Sequence, residues 1–448
     1  METFFVVIKN QYKDSIELLR LSAEIEKLDS IEKAAIMMGT PSNLKLMQEA
    51  GYFSDANQTG ASANDLVVGL VVPKGSKDSA LEQAKKILTT ETKSKSRSGE
   101  KALPKTIDQG IKEIEEIEGE KANIAIISVP GPYASGETLK ALKRGLHVFL
   151  FSDNVPLEDE IELKNYASSR NLLLMGPDCG TSVLDGVPFS FANKIRRGPI
   201  GLVGAAGTGL QQVSSLIDQH GAGMSQMIGV GGHDLGEKVG GLMMLQGIER
   251  LDKDPSTKVI VLVSKAPSPI IADKVFKKIS TVSKPVVVCF LGDQAHVETK
   301  AYIATTLSDA ALYASQLAKG VKPSGNFRET WDQKSFKSSG GHIEGLFSGG
   351  TFAKEASLLL SHLSKQGANL SYKVTDLGDS QFTVGKPHPM IDPSTRKQWI
   401  VNAGKDKNVT VILLDVVLGY GSHEDPAGAL APSIKEAMKI ATSEGRKL

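Results

Sequence analysis

Hydrophobic positions in this chain follow two periods that take turns along its length. Short β-branched runs such as "TFFVVIK", "KAAIMMG", "DLVVGLVV", "NIAIISV", "HVFLFS" and "KVIVLVSKAP" read as strands. Between them, stretches such as "DSIELLRLSAEIEKL", "NLKLMQEAG" and "GLMMLQGIERL" repeat their apolar residues at helical spacing. Small-residue turns separate the two kinds of segment. Strand, turn and helix alternating in this way predict an α/β protein of several domains with a mainly parallel sheet.

The pattern divides the chain. Residues 1–90 form a small N-terminal α/β subdomain, and 91–118 a linker. Its first part, "ETKSKSRSGEKALPK", is polar and without period, and the charge run "IKEIEEIEGEK" at 111–121 is a solvated helix face. Residues 119–197 hold three strands and two helices in Rossmann-like order. Residues 198–322 and 340–448 are two further α/β modules, joined by the polar connector "KPSGNFRETWDQKSFKSSG".

The last two modules are related. A shift of 143 positions pairs Gly198 with Gly341, Ile200 with Ile343, Gly207 with Gly350 and Thr208 with Thr351 without a gap. The order of downstream motifs follows, "GVGGHD" against "TVGKPHPMID" and "KVIVLVSKAPSP" against "VTVILLDVVLGYG". One shared tripeptide is a coincidence easily met; a shared place in two strand–turn–helix units implies duplication of a flavodoxin-like module.

Each copy has a glycine turn at a helix start, Gly204-Ala205-Ala206-Gly207-Thr208 and Ser348-Gly349-Gly350-Thr351. The first amides of a helix lack intrahelical acceptors and carry the positive end of the macrodipole, so both turns are candidate anion or phosphate cradles. Neither has the lysine of a Walker A loop, which excludes a P-loop NTPase. The duplication further predicts that the two turns face each other across a pseudo-two-fold axis, with both helix starts aimed at one pocket.

The strands of 119–197 end in Ser128-Val129-Pro130-Gly131, Ser152-Asp153-Asn154 and Gly176-Pro177-Asp178-Cys179. In open parallel sheets ligands bind beyond the carboxyl ends of strands, so Ser128, Pro130, Gly131, Ser152, Asp153, Asn154, Pro177, Asp178 and Cys179 form a candidate rim. His233 in "GGHD" and His388 in "KPHPMID" occupy corresponding turns. They are candidates for general acid help or phosphate binding, weighed equally against turn histidines bonded to backbone. Cys179 has no histidine beside it and reads first as a small packed residue. Asp415, at the end of "VILLD", is either a rim group or a buried acceptor. His147 and His220 read as structural.

Composition narrows the function classes. The chain has 448 residues, 40% hydrophobic and 23% charged, with 52 Lys and Arg against 51 Asp and Glu. This balance gives no support to nucleic-acid or membrane-surface binding. Two cysteines make neither a disulfide framework nor a four-ligand zinc site, and no cluster has metal-ligand spacing. The short apolar run of "METFFVVIKN" reads as a first strand rather than a signal peptide, and a cytoplasmic location is expected.

"GPIGLVGAAGTGLQQV", "GVGGHDLGEKVGG" and "RLDKDPSTKVIVLV" resemble the α subunit of succinyl-CoA synthetase, and "ISVPGPYA", "FSDNVPLEDE" and "MGPDCGT" resemble that family's CoA-domain loops in order. With "MMGTPSN", "FTVGKPHPMIDP" and "LLDVVLGYG", the whole chain resembles the FdrA branch of acyl-CoA synthetase-like proteins. The resemblance implies a CoA-binding-type Rossmann-like domain at 119–197, followed by two succinyl-CoA synthetase-type flavodoxin-like domains. CoA binding is implied by the resemblance alone. The synthetases carry a phosphorylated histidine in a glycine–alanine loop; here the corresponding text is "GDQAHVETKAYIATTL", with His296 but no such loop, and no ATP-grasp domain. The resemblance therefore implies a subunit of a carbamoyl- or acyl-transferring complex, first of all one like oxamate carbamoyltransferase in purine and allantoin nitrogen catabolism. The ligand would be small and anionic: phosphate, carbamoyl phosphate or an oxamate-like dianion. Other subunits are expected, and self-association stays open. The alternatives are a nucleoside-diphosphate-forming acyl-CoA ligase subunit and a sensing or scaffolding subunit without chemistry.

Overall fold

In the computed structural model, residues 1–11, 13, 18, 21–22, 24–26, 28, 30–94, 104–293, 299–325, 341–367, 370–383 and 387–448 are described. The expected first helix "DSIELLRLSAEIEKL", the loop at 95–103, His296, the connector at 326–340 and part of "FTVGKPHP" lie wholly or largely outside them. The chain forms two compact units, Met1–Pro104 and Lys105–Leu448.

In the first unit, β1 (Glu2–Ile8), β2 (Lys33–Met38) and β3 (Leu66–Val72) form an antiparallel sheet in the order β1-β3-β2. The central β3, "LVVGLVV", has no polar residue because it is covered on both faces, by Leu21, Ile25, Ala80 and Ala84 on one and by Met47 and Phe53 on the other. The helices α1 (Pro41–Glu49) and α2 (Lys77–Ser94) complete it. Asp65, buried, accepts from Ser62, Asn10 and Lys9 and staples the loop before β3.

The second unit opens with α3 (Ile107–Glu118), capped by Thr106, so the segment expected as linker is helical over its second part. This helix buries no residue fully, as its four glutamates require. Next come β4 (Ile124–Ile127), α4 (Gly131–Lys143), β5 (His147–Leu150), α5 (Leu157–Ser169) and β6 (Leu174–Met175), a parallel three-stranded sheet in the order β4-β5-β6. The hairpin β7 (Thr181–Leu184) and β8 (Val187–Ser190), which the sequence pattern did not predict, lies within 119–197 and adds to the next sheet, with Val183 opposite Met227.

That sheet has the order β13-β12-β11-β9-β10-β7-β8, built from β9 (Arg197–Gly204), β10 (Met224–Gly229), β11 (Val259–Lys265), β12 (Val286–Leu291) and β13 (Tyr302–Ile303). The helices α6 (Gly207–Gln219), α7 (Leu242–Lys253), α8 (Pro269–Ser280) and α9 (Leu307–Ala318) accompany it. β11 and β12 are continuous apolar runs because their residues contribute alternately to two cores, Ile260, Leu262 and Val288 to one and Val261, Val263 and Val287 to the other.

The last module comprises β14 (His342–Phe347), α10 (Gly350–Lys365), β15 (Ser371–Asp376), α11 (Ser380–Thr383), α12 (Ser394–Lys405), β16 (Val409–Leu414) and α13 (Pro426–Ser443). In both modules the strand before the glycine turn is central and parallel to its neighbours: β9 between β10 and β11, β14 between β15 and β16. The repeat found at a shift of 143 is thus a repeat of strand order as well as of letters. The expected α/β architecture, Rossmann-like and flavodoxin-like modules behind a small N-terminal subdomain, is the fold observed.

Candidate functional site

The two glycine turns touch. A Cβ on Gly349 would stand 2.5 Å from Thr208 Cγ2, and one on Gly209 would stand 2.9 Å from Thr351 Cγ2. Helices α6 and α10 therefore start side by side, each glycine leaving room for the other helix's threonine. Thr208 and Thr351 are both buried. Their side chains are interhelical packing, a correction to their expected place as open cradle donors.

The turns differ in what meets their amides. In the second, Asp415 at the end of β16 accepts from Ser348 N at 2.9 Å, Gly349 N at 2.8 Å and Ser348 Oγ at 3.0 Å. Arg396 of α12 holds that carboxylate at 2.9 Å and also donates to the carbonyls of Leu346 and Asp415, with both side chains buried. Asp415 is thus a buried acceptor, and the expected cradle at Ser348-Gly349 is already filled by the protein's own anion.

The first turn is open. Ala206 caps α6 without a side-chain bond, and Gly207 is exposed, its nearest foreign atom being Thr181 Oγ1 at 3.9 Å from the Cβ position. Thr181 is 1% exposed, and its hydroxyl has no hydrogen-bond partner. An unpaired buried hydroxyl beside an uncapped helix start calls for a polar ligand. Gly204 serves packing instead, since a Cβ there would run into Val263 O, and its absence lets β9 sit close against β11.

Carboxyl ends of both sheets gather around this point. Lys265, exposed at the end of β11, and Asp376, at the end of β15, both reach Gly350; Lys265 Nζ lies 3.0 Å from its Cβ position, and Asp376 Oδ2 lies closer still. Burial pushes the Asp376 carboxyl up, against the Gly378 amide and the Lys265 charge. Gly378 also meets His388 Nε2, 2.7 Å from its Cβ position. His388 Nδ1 accepts from Met390 N at 3.2 Å, and its ring lies 6.1 Å from that of Phe191. Burial pushes His388 down to about 4, so it is a neutral turn histidine at ordinary pH.

The rim loops form one ledge. Gly131 lies tight against the carbonyls of Asn154 and Asp153, which leave no room for a Cβ, so this glycine serves loop packing rather than ligand approach. The Gly176–Pro177 peptide is cis, Asp178 N donates to Ser152 O at 3.0 Å, and Gly231 sits 2.6 Å (Cβ position) from Pro177 O. Ser128, Pro130, Asp153, Asn154 and Asp178 are exposed, while Ser152, Pro177 and Cys179 are buried. Asp178 keeps contact with water at its edge though protein rings it; burial, then Asp153 and Asp376, push it up to about 6, with His233 and Lys265 opposing. Burial pushes the Cys179 thiol up to about 11, and its sulfur faces Gly229 O and Ser182 Oγ. It is packed and unreactive.

His233 stands on this ledge with Nδ1 2.9 Å from Glu160 Oε2. The hydrogen bond to Glu160 raises its pKa above the ordinary histidine value. Sequence reasoning found His233 and Asp178 but missed Thr181, Glu160, Lys265 and Asp376. Glu160 lay hidden in the charged helix "LEDEIELK", whose pattern does not disclose burial. Lys265 and Asp376 end strands, which is the one signal that could have marked them.

Three domain families match the chain: a domain described as "AllF, heavy metal-associated domain" over residues 1–104, a CoA binding domain over 196–292, and a CoA-ligase domain over 346–446. The CoA-binding description thus falls on the module of β9–β12, rather than on 119–197. The fold and these matches define a multidomain α/β protein whose sequence runs from an AllF-type N-terminal domain to a CoA binding domain and a CoA-ligase domain. The chain belongs to the family of YahF from Escherichia coli (strain K12), to which it is 40% identical over 476 residues, covering 100% of this chain and 90% of YahF. The α subunit of succinate–CoA ligase (ADP-forming) from Aquifex aeolicus (strain VF5) is 30% identical over 150 residues, 32% of this chain and 48% of that subunit. The chain therefore spans about half the length of that α subunit. The dinucleotide-forming acetyl-coenzyme A synthetase 1 of Ca. Korarchaeum cryptofilum aligns at 17% identity and TM-score 0.38, covering 71% of this chain and 73% of that one.

The name of the N-terminal family implies a heavy metal, and the residues do not fit one. Residues 1–104 contain neither cysteine nor histidine, so no thiolate or imidazole is available and methionine thioethers are the only soft donors there. Among the described residues no group of three His, Cys, Asp or Glu side chains could hold an ion. Among them, too, no helix is long and apolar enough to cross a membrane.

Proposed function

We propose that the cleft at the start of α6 carries acyl transfer to or from phosphate, as an acyl-CoA synthetase of the succinate–CoA ligase kind, with this chain as one subunit of a complex. The observation that supports this is the uncapped turn at Gly207, with the unpaired Thr181 hydroxyl beside it. A phosphoryl group there would accept from the first amides of α6, beside the Thr181 hydroxyl, and Lys265 adds a positive charge. In the transfer, the thiol sulfur of CoA bonds to the acyl carbon as the carbon–oxygen bond to phosphate breaks. The thiol proton passes to His233 Nε2, and phosphate leaves with the bonding electron pair. The ledge is acidic at Asp153, Asp178 and Asp376, so it is the uncharged pantetheine arm of CoA that would cross it.

A second reading, transfer of a carbamoyl group, has its own support. Carboxylates at Asp178 and Asp376 suit an acyl group bearing N–H donors better than a succinyl carboxylate. The sequence also lacks the glycine–alanine histidine loop of a phosphohistidine relay. The purified chain with its co-purifying partners, given CoA with acetyl phosphate, succinyl phosphate or carbamoyl phosphate, and in a further arm carbamoyl phosphate with oxamate in place of CoA, separates the readings. Loss of thiol with release of phosphate supports ligase chemistry. Consumption of carbamoyl phosphate by an amide acceptor, without CoA, supports the carbamoyl reading. No phosphate release in any arm overturns both.

A further inference from the structure

Beneath the ledge, α5 carries a buried ion cluster. Lys164 is 0% exposed and directs its ammonium to Glu160 Oε1 at 2.9 Å, Asp234 Oδ1 at 2.9 Å and Val230 O at 2.8 Å. It donates hydrogen bonds to Asp234 Oδ1 and Val230 O and faces Glu160 Oε1 as an ion pair. Asp234, also fully buried, accepts from Met243 N at 3.2 Å and Met244 N at 2.9 Å and so caps α7. Lys164, Asp234 and Val230 O already make a neutral set that joins α5 to the start of α7. Glu160 is surplus to it, and adds one uncompensated negative charge in the interior, which is costly unless answered.

The answer comes from the ledge. His233, with a side chain 68% exposed, brings Nδ1 to 2.9 Å from Glu160 Oε2. An ionised carboxylate only accepts, so the proton of this bond belongs to Nδ1, and Nε2 is left on the solvent side. We infer that Glu160 is a positioning residue, clamped by Lys164, that fixes His233 with its proton on Nδ1 and presents Nε2 as the atom that exchanges protons with the substrate. The fixing of the ring stands on this geometry alone; the exchange with a substrate rests on the acyl-transfer reading.

The groups facing His233 are Glu160 and Lys164 from α5, Asp178 from the loop after β6, and Asp234 next in its own turn. Glu160 and Asp178 favour the imidazolium, and Lys164 and burial oppose it. Glu160 itself is pushed up by burial, but the His233 bond and the Lys164 charge outweigh this and hold it below the ordinary carboxylate value.

The test is nitrogen NMR of the full chain labelled at histidine, with the His233 signals identified by their loss in His233→Gln. The wild-type ring is expected to titrate above the ordinary value near 6.5 and, once neutral, to carry its proton on Nδ1. In Glu160→Gln the titration falls by about 1 pH unit or more, and the Nδ1–H preference is lost. The pH profile of kcat for phosphate release moves down by the same amount, with KM unchanged. A wild-type ring protonated on Nε2 when neutral overturns the inference without any variant having to fold. An unmoved titration in Glu160→Gln overturns it too, and an unmoved kcat profile overturns the proton exchange. If the NMR behaves as expected and no substrate turns over, the acyl-transfer reading fails while the positioning of His233 stands.

Discussion

The side chain of Thr208 lies against the backbone of Gly349, 2.5 Å from Cγ2 and 2.7 Å from Oγ1 to the position a Cβ would take. Residues 141 apart in sequence thus bring the starts of two duplicated helices into contact. The φ of Gly349 is −115°, which any residue adopts, so space alone demands glycine.

Gly349→Ala is therefore expected to cost about 1–3 kcal/mol through overpacking. Thr208→Ala removes the two atoms in closest approach and should recover part of that loss. Urea denaturation of both single variants and the double variant reads the coupling, and additive effects would show that the helices do not meet here.

Gly207 behaves differently, because nothing but Thr181 Oγ1 comes within 4 Å of its Cβ position. Gly207→Val should leave the fold largely intact, while blocking approach to the first amides of α6. Isothermal titration with inorganic phosphate should show binding weakened at least about tenfold, which is about 1.4 kcal/mol. Thr181→Val, which removes the unpaired hydroxyl, should weaken phosphate binding and leave stability equal or better. Unchanged affinity in both variants would move the anion site elsewhere.

Asp415 answers two amides, a hydroxyl and the buried Arg396 together. Asp415→Ala leaves a buried guanidinium uncompensated and is expected to cost about 3–5 kcal/mol. It also vacates the second turn, so phosphate should raise the melting temperature of this variant more than that of wild type. Equal stabilisation would mean that the second turn binds no anion even when emptied.

His388 links stability to pH. Its folded value of about 4 lies below the ordinary 6.5, because burial disfavours the imidazolium. The neutral ring's contribution is thus fully present above pH 6.5 and is lost as pH falls through the folded value near 4. His388→Gln should flatten the decline in melting temperature between those limits. A decline as steep as in wild type would assign the acid sensitivity to other groups.

The alternation of apolar period, the two glycine turns and the shift of 143 positions announced the α/β modules and their duplication, because strand and helix periodicities and turn chemistry are local properties. The hairpin of β7 and β8 was not legible, since which sheet edge a strand joins is decided by partners far along the chain. The same holds at the site. Both turns read as anion cradles, yet Asp415, 66 residues beyond Gly349, fills one of them, whereas Thr181 leaves the other open. Glu160 and Lys164 stand one helical turn apart in a charged stretch that looks solvated, and only the packing of α5 over the loop of Asp234 turns them into a buried pair holding His233. Local sequence determines which backbone amides are exposed at a helix start. Tertiary structure decides what charge they meet, because burial and ion pairing depend on residues that the chain brings together only when it folds.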